Sequence, residues 1–301
     1  MFLPGPPRLD EAGWERLLDR VLREGPKRIE GLDLGGLRFI DPYGLLGLVA
    51  IGASAAFRRG QAWGLILPRS RDVRTFLVRT GSLLWLENTF VVSAGTGETG
   101  AEDGSASKDP PLLGVTRILD AADVHRAVAR IKGRTDRLLV ERLGYNALAA
   151  DRFTVALAEI CQNIVDHSES EGFVAAHYLP SARGRGVVRL AVTDVGVGIR
   201  ESLSGRYASR FPGSWDDRRA VRLAFQRHVS RVPDPGRGLG LKLVAEMVRG
   251  WNGRLLLRSG TAAYAIHPSW GPRPRRRDLA PFPGTQINVF LPSLAEYTET
   301  L

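Results

Sequence analysis

Cysteine is almost absent. Cys161 is the only one in 301 residues, so no internal disulfide can form, and a reducing, cytosolic setting is expected. Long apolar runs are missing too. The most apolar stretch, Leu45 to Phe57, is interrupted by Gly47, Gly52 and Ser54 and falls short of the roughly 20 residues that a membrane-spanning helix needs. Met1 to Leu22 lacks the basic-then-apolar layout of a secretion signal, so neither a membrane span nor export is expected. Lysine is scarce as well, with four among 42 basic residues, so arginine carries the positive charge. Hydrophobic content, by contrast, is an ordinary 44%, which supports packed cores and excludes a disordered chain. The length has room for two domains.

Charge divides the chain. Up to Pro111 there are 14 basic and 14 acidic residues, and after it 28 and 18, so the whole excess of +10 lies in the second part. Such a field favours an anionic ligand or partner. A nucleotide with its phosphates satisfies it, and so does nucleic acid. Arginine-rich composition in general is the plainer explanation.

The first part reads as a small α/β layer unit. Trp14, Leu17, Leu18, Val21 and Leu22 recur at helical spacing, so the chain is expected to begin with an amphipathic helix. Ile29 to Leu34 and Leu37 to Ile40 read as extended pieces. Asp41-Pro42-Tyr43-Gly44 is a turn whose aspartate caps a helix from Gly44 to Phe57. Ala62 to Leu67 is a buried strand, and Val73 to Val78 a helix closed by Gly81. Ser93 to Pro111, rich in Gly, Ser and acids, reads as a flexible linker. The divisions are therefore 1–92, 93–111 and 112–301.

Beyond the linker, Leu112 to Ile118 reads as a strand, and Ala121 to Ile131 and Arg137 to Leu143 as helical. The stretch Leu157 to His167 (L-A-E-I-C-Q-N-I-V-D-H) then places Glu159, Asn163 and, one turn on, Asp166 or His167 along one side of a helix. Leu157, Ile160, Ile164 and Val165 supply its apolar face. Asn163 offers a neutral oxygen to a hard cation such as Mg2+, and Glu159 is placed to orient or deprotonate an attacking hydroxyl or water. Alone, this pattern is more simply an exposed polar stripe.

Three further blocks follow it. Asp194-Val195-Gly196-Val197-Gly198-Ile199 closes the apolar run Val187 to Val192, Gly236-Arg237-Gly238-Leu239-Gly240-Leu241 opens a helix through Val248, and Gly284-Thr285 precedes a strand from Gln286 to Leu291. Four blocks in this order resemble the N, G1, G2 and G3 boxes of the GHKL (HATPase) nucleotide-binding superfamily. The E-x-x-x-N form of the first most resembles its anti-sigma-factor serine kinases. The resemblance implies an α/β sandwich over 112–301 that binds ATP with Mg2+. In it Asp194 receives the adenine amino group, with Gly196 and Gly198 letting the backbone turn near the base. Gly236, Arg237, Gly238, Leu239, Gly240 and Leu241 meet the phosphates, where glycine amides and a helix N-terminus suit an anion. Asn163 would hold the metal, Thr285 would add a hydroxyl near Asp194, and Glu159 would be the catalytic base. Arg200 to Pro235 corresponds to the family's ATP lid. Lys242 faces either phosphate or solvent. His267 to Pro283 reads as a basic insertion, and His125, without an acidic neighbour or a following proline, is not expected to accept phosphate.

In the first part, L-D-L-G-G-L-R-F-I-D-P-Y-G-L (32–45) resembles the STAS domain of anti-sigma-factor antagonists. Members often carry a phosphorylated serine after the aspartate. Pro42 stands there instead, followed by Tyr43, and the helix at Trp14 takes the place of the family's first strands. The resemblance implies a STAS-like docking unit that is not itself a substrate, and that is able to dock on its own lid at Arg200 to Pro235. The expected function is that of a cytosolic ATP-dependent switch transferring phosphate to a protein serine or to water, with a STAS-domain antagonist or a sigma-factor-like regulator as partner. A non-catalytic, nucleotide-dependent binding module is the alternative. Nucleic acid as partner rests on charge alone and is disfavoured.

Overall fold

Alternation of apolar residues at period two builds the larger sheet. The computed structural model describes residues 1–54, 57, 62–94, 111–180, 186–226, 229–230, 240–266 and 278–294. Strands β7 (Leu113–Ile118), β8 (Gly172–Pro180), β9 (Gly186–Asp194), β10 (Arg254–Gly260), β11 (Ala262–Ile266) and β12 (Phe282–Pro292) form one antiparallel sheet in the order β11-β10-β12-β9-β8-β7. On one face, Val174, Val188, Leu190, Val192, Leu255, Leu257, Ile287 and Val289 are buried. Helices α5 (Ala121–Asp136), α6 (Ala147–His167) and α9 (Gly240–Gly250) cover that face. This is the α/β sandwich expected over 112–301.

The N-terminal unit has its own parallel sheet, β1 (Phe2–Pro4), β3 (Gly31–Asp33), β5 (Gly64–Ile66) and β6 (Val91–Ser93), in the order β1-β3-β5-β6. A short pair joins β2 (Arg8–Leu9) to β4 (Phe39–Ile40). Its helices are α1 (Glu11–Glu24), α2 (Pro42–Ala53), α3 (Arg71–Arg79) and α4 (Ser82–Thr89). Asp41 caps α2 as expected, accepting the Gly44 N–H at 2.9 Å, although the helix starts at Pro42. The chain does not begin with a helix: Phe2–Pro4 is a strand alongside β3, with Leu3 fully buried. Three residues are too few to display an alternation.

Every residue of α2 from Pro42 to Gly52 is buried, and a helix apolar all round must be enclosed on all sides. The reason is its position. It packs within the N-terminal core on one side and against β8, β9 and β12 on the other, with Phe173, Ala175, Ala191 and Leu256 of the large sheet joining that core. Gly47 leaves room for the Trp14 ring, which a side chain there would meet at 2.5 Å. The N-terminal unit therefore covers the second face of the large sheet. Its main packing surface is this face. No described helix is long and apolar enough to cross a membrane.

Residues 95–110 of the expected linker and 267–277 of the expected basic insertion lie outside the described residues. The stretch 198–226, most of it within the expected lid, is partly helical. It holds α7 (Gly198–Tyr207) and α8 (Asp217–Leu223), which share a small cluster of Leu203, Tyr207 and Leu223. Asp216 caps α8 through the Arg219 N–H at 2.8 Å.

Candidate functional site

Helix α6 begins at Asn146, whose side chain accepts the Ala149 N–H at 2.9 Å. Phe153, Leu157, Ile160 and Ile164 are buried against the sheet, which turns Glu159 and Asn163 to the opposite edge of the helix. Gln162 Nε2 donates to Asp166 at 3.0 Å. Of the two residues one turn beyond Asn163, it is His167 that lines the adjoining hollow.

That hollow has about 780 Å³ of empty space, counting its open mouth. Ile164, Val192, Ile199, Leu203 and Ile287 form apolar walls, and Asn163, Asp194, Ser202 and Thr285 bring polar groups to it. Its lining converges from α6, the end of β9, the start of α7, the start of α9, β10 and β12. Gly198, Gly240 and Leu241 also line it. An apolar slot with a few fixed polar groups suits a flat heterocycle.

Asp194 ends β9 and is 8% exposed. Its carboxylate accepts the Gly196 N–H at 3.0 Å and the Thr285 N–H. Burial nevertheless pushes its pKa up to about 7, against the lowering effect of those two donors. Gly284 lies beside it with φ of +81°, and a side chain there would meet the Asp194 carbonyl oxygen at 2.3 Å. Thr285 reaches Asp194 through its backbone N–H, while its hydroxyl donates to Ser259 Oγ at 3.3 Å. Ser259 in turn donates to the Gly284 carbonyl and accepts the Ile199 N–H, both at 2.9 Å. One hydrogen-bonded cluster thus ties β9, β10, β12 and the first turn of α7 together.

Gly196 does not line the hollow. It serves Asp194 with its N–H and lies against the Ser168 carbonyl. Glu159 is exposed and also outside the lining, but its carboxylate lies at Gly240, 2.6 Å from where a side chain would begin. Lys242 pairs with Glu246 at 3.2 Å. Gly236, Arg237, Gly238 and Leu239 lie outside the described residues.

The family model described as histidine kinase-, DNA gyrase B-, and HSP90-like ATPase matches residues 149–294. Residues 149–294 are a GHKL-type ATPase domain. This domain type binds ATP, generally with Mg2+. Among solved structures, a mycobacterial sensor histidine kinase, MprB, is 21% identical, with 55% of this chain and 94% of that one covered and a TM-score of 0.30. The histidine kinase domain of the Erythrobacter litoralis EL346 blue-light activated histidine kinase is 16% identical, with 94% and 96% covered and a TM-score of 0.28. No curated protein matches the chain.

Whether the ATPase domain's residues fit a magnesium nucleotide can be tested at Asn163. Its amide nitrogen, Nδ2, is buried without a hydrogen-bond partner, and the residue lines the hollow. The nitrogen and oxygen of such an amide exchange places by a flip, so the unpaired position suits an oxygen turned to a cation. Among the described residues no cluster of three acidic, His or Cys side chains could hold a metal by itself. Mg2+ takes oxygen ligands, keeps several waters and draws others from substrate phosphates, so one amide oxygen from the protein is compatible with it. Ser259 and Ser202 escaped the sequence reading, because a lone serine on a regular element carries no motif.

Proposed function

We propose that the chain is an ATP-dependent signalling switch, resembling anti-sigma-factor serine kinases, that transfers the terminal phosphoryl group of Mg-ATP to a protein serine or to water. The observation that supports it most is the position of Glu159. It stands one turn before Asn163, with its carboxylate at the first turn of α9, where the resemblance puts the phosphates. Asp194 accepts the adenine amino group while the apolar walls of the hollow exclude water from the base. Asn163 would hold Mg2+, which when bound would supply positive charge to the phosphate oxygens. Glu159 takes the proton of the attacking hydroxyl as its oxygen bonds to phosphorus and the bond to ADP breaks. Phosphoryl transfer asks for little beyond such positioning and charge balance. The partner in this reading is a STAS-domain antagonist or a sigma-factor-like regulator in the cytosol.

The experiment is incubation of the chain with gamma-labelled ATP, Mg2+ and STAS-domain proteins encoded nearby, comparing native protein with Glu159→Ala. Label on a partner serine, or released phosphate, that disappears in the variant supports catalysis. A second reading, a non-catalytic nucleotide-dependent binding module, is favoured by the absence of Glu159 from the lining of the hollow. It requires nucleotide binding with no turnover in either protein.

A further inference from the structure

The two faces of the large sheet are one residue apart. On β12, Thr285 and Ile287 line the hollow, whereas Gln286 and Asn288 point to the N-terminal unit. On β9, Val192 and Asp194 line it, while Arg189 and Thr193 lie on the other face. On β10, Leu257 lines it, and Arg254 and Arg258 lie opposite. What meets that second face is specific. Trp14 Nε1 donates to Gln286 Oε1 at 2.8 Å, both side chains being fully buried. Glu11 pairs with Arg254, Asp41 with Arg189, and Glu15 lies 3.3 Å from Arg258. Phe76 meets the His177 ring edge-on at 5.0 Å, and Trp85 meets Phe173 at 5.3 Å.

This is not how a sheet face is built when stability alone matters. Three arginines, a histidine, a threonine, a glutamine and an asparagine occupy positions that an ordinary core gives to Val or Leu. Several of their polar atoms, among them both ring nitrogens of His177, Thr193 Oγ1 and Gln286 Nε2, are buried without a hydrogen-bond partner. Buried ion pairs give back much of their attraction as desolvation cost, and their best-attested use is to specify one arrangement over another. Here the arrangement specified is that of the strands carrying the site. Arg258 and Gln286 are cross-strand partners, and so are Ser259 and Thr285 beside them. The first pair is held by Glu15 and Trp14, and the second belongs to the cluster around Asp194.

We propose that the N-terminal unit is a positioning device for the nucleotide site: the hold of Trp14 and Glu11 on Gln286 and Arg254 keeps Thr285 and Asp194 in their binding arrangement, so that docking of this unit and nucleotide occupancy strengthen each other. The proposal rests on the nucleotide reading above. Trp14 and Gln286 are positioning residues, since neither reaches the hollow. Coupling between two sites is reciprocal. Loosening the hold weakens nucleotide binding, and nucleotide tightens the hold.

The test uses the full chain. Trp14→Phe keeps a ring in place but deletes the indole N–H, and Glu11→Gln keeps the shape of its side chain but removes the charge. Each variant is first checked for a cooperative thermal transition, so that Glu11→Gln carries the test if Trp14→Phe does not fold. Calorimetry with Mg-ATP is expected to show Kd raised about 5-fold or more. In a Gln286→Met background, Trp14→Phe is expected to change Kd no further. ATP is expected to slow amide exchange across residues 11–18 of the native chain, a response that a merely structural contact does not give. Native protein that binds ATP, with folded variants that bind equally well and no exchange response in 11–18, overturns the inference and leaves the nucleotide reading intact. Native protein that binds no ATP overturns both.

Discussion

Replacing Asp194 by Asn is expected to stabilise the protein and to weaken its nucleotide binding. The carboxyl pKa rises from an ordinary 3.8 to about 7 through burial. For an acid raised in the folded state, the native protein holds a proton that the unfolded chain has lost between those values. Stability therefore falls as pH rises from about 4 to about 7, and above 7 the ionised group costs the native state about 4 kcal/mol relative to acid pH. Asn carries no charge at any pH. Its Oδ1 still accepts the Gly196 N–H, but its amide hydrogens lack acceptors, a loss of about 1–3 kcal/mol. The balance at pH 8 is a gain of about 1–3 kcal/mol. A donor on adenine, however, loses a charged acceptor, which weakens ATP binding by roughly 10- to 100-fold. Native protein is likewise expected to lose ATP affinity as pH falls below about 7. Urea unfolding of both proteins between pH 5 and 9, with calorimetric ATP titrations alongside, reads all three quantities. Taking the difference between the two proteins cancels the other carboxylates. Parallel stability profiles, or equal ATP affinity at pH 8, would refute the reasoning.

Glu159→Ala is expected to bind ATP nearly as well as native protein and to lose phosphate transfer by roughly 100-fold or more, whereas Asn163→Ala weakens Mg-nucleotide binding itself; titration and single-turnover assays separate the two. Gly284→Ala is expected to lower stability by about 1–3 kcal/mol in urea unfolding, because φ of +81° and a contact at 2.3 Å leave no room for a methyl group. No phosphate is expected within residues 1–92 after incubation with ATP, since Pro42 has no hydroxyl and Tyr43 is 1% exposed with its hydroxyl donating to Glu15. Phosphopeptide mapping that finds modified Tyr43 contradicts this. His125, exposed and hydrogen-bonded to its own helix at the Ala121 carbonyl, is expected to remain unmodified, which His125→Ala and acid-lability of any label will check.

Much of the site was legible because each part announces itself locally. Asp194 closes an apolar run and precedes two glycines. Asn163 follows Glu159 by one turn on a strongly patterned helix. Gly284-Thr285 marks a strand, although β12 starts earlier, at Phe282, with a register shift beside it. The hollow brings Asn163, Asp194, Gly198, Gly240, Leu241 and Thr285 together. Ser259 was not legible, because its importance comes only from register: it faces Thr285 across the sheet. Helix α7 escaped because only Leu203 and Tyr207 of its ten residues are buried, too few to make a period. Helix α4 escaped for the opposite reason, since its apolar residues are contiguous and periodicity cannot place them.

The second face of the large sheet carries a contact with the N-terminal unit that the sequence pattern hides. Arg189, Arg254, Arg258, Gln286 and Asn288 alternate with apolar residues, and on an antiparallel strand that pattern ordinarily means one face in water. Read alone, β9, β10 and β12 predict an exposed face, whereas docking at Arg200 to Pro235 is what the family resemblance implies. The information that contradicts this reading sits far upstream, in Glu11, Trp14, Glu15 and Asp41. Three of those side chains look like ordinary helix-surface or capping residues. Arg258 nonetheless ends up with no exposure, its guanidinium donating to the Ala280 carbonyl and lying over the Phe282 ring at 5.3 Å. A charge so placed is tolerable only while its partner stays in place, because removing one member leaves the other buried and alone. The same residues that let this face stand in water when bare make it selective for one complementary surface when covered. A polar face of this kind costs stability compared with an apolar one, and it gives in return a contact that depends on geometry. That is the property required of a unit whose docking is to be read one residue away, at Thr285 and Asp194.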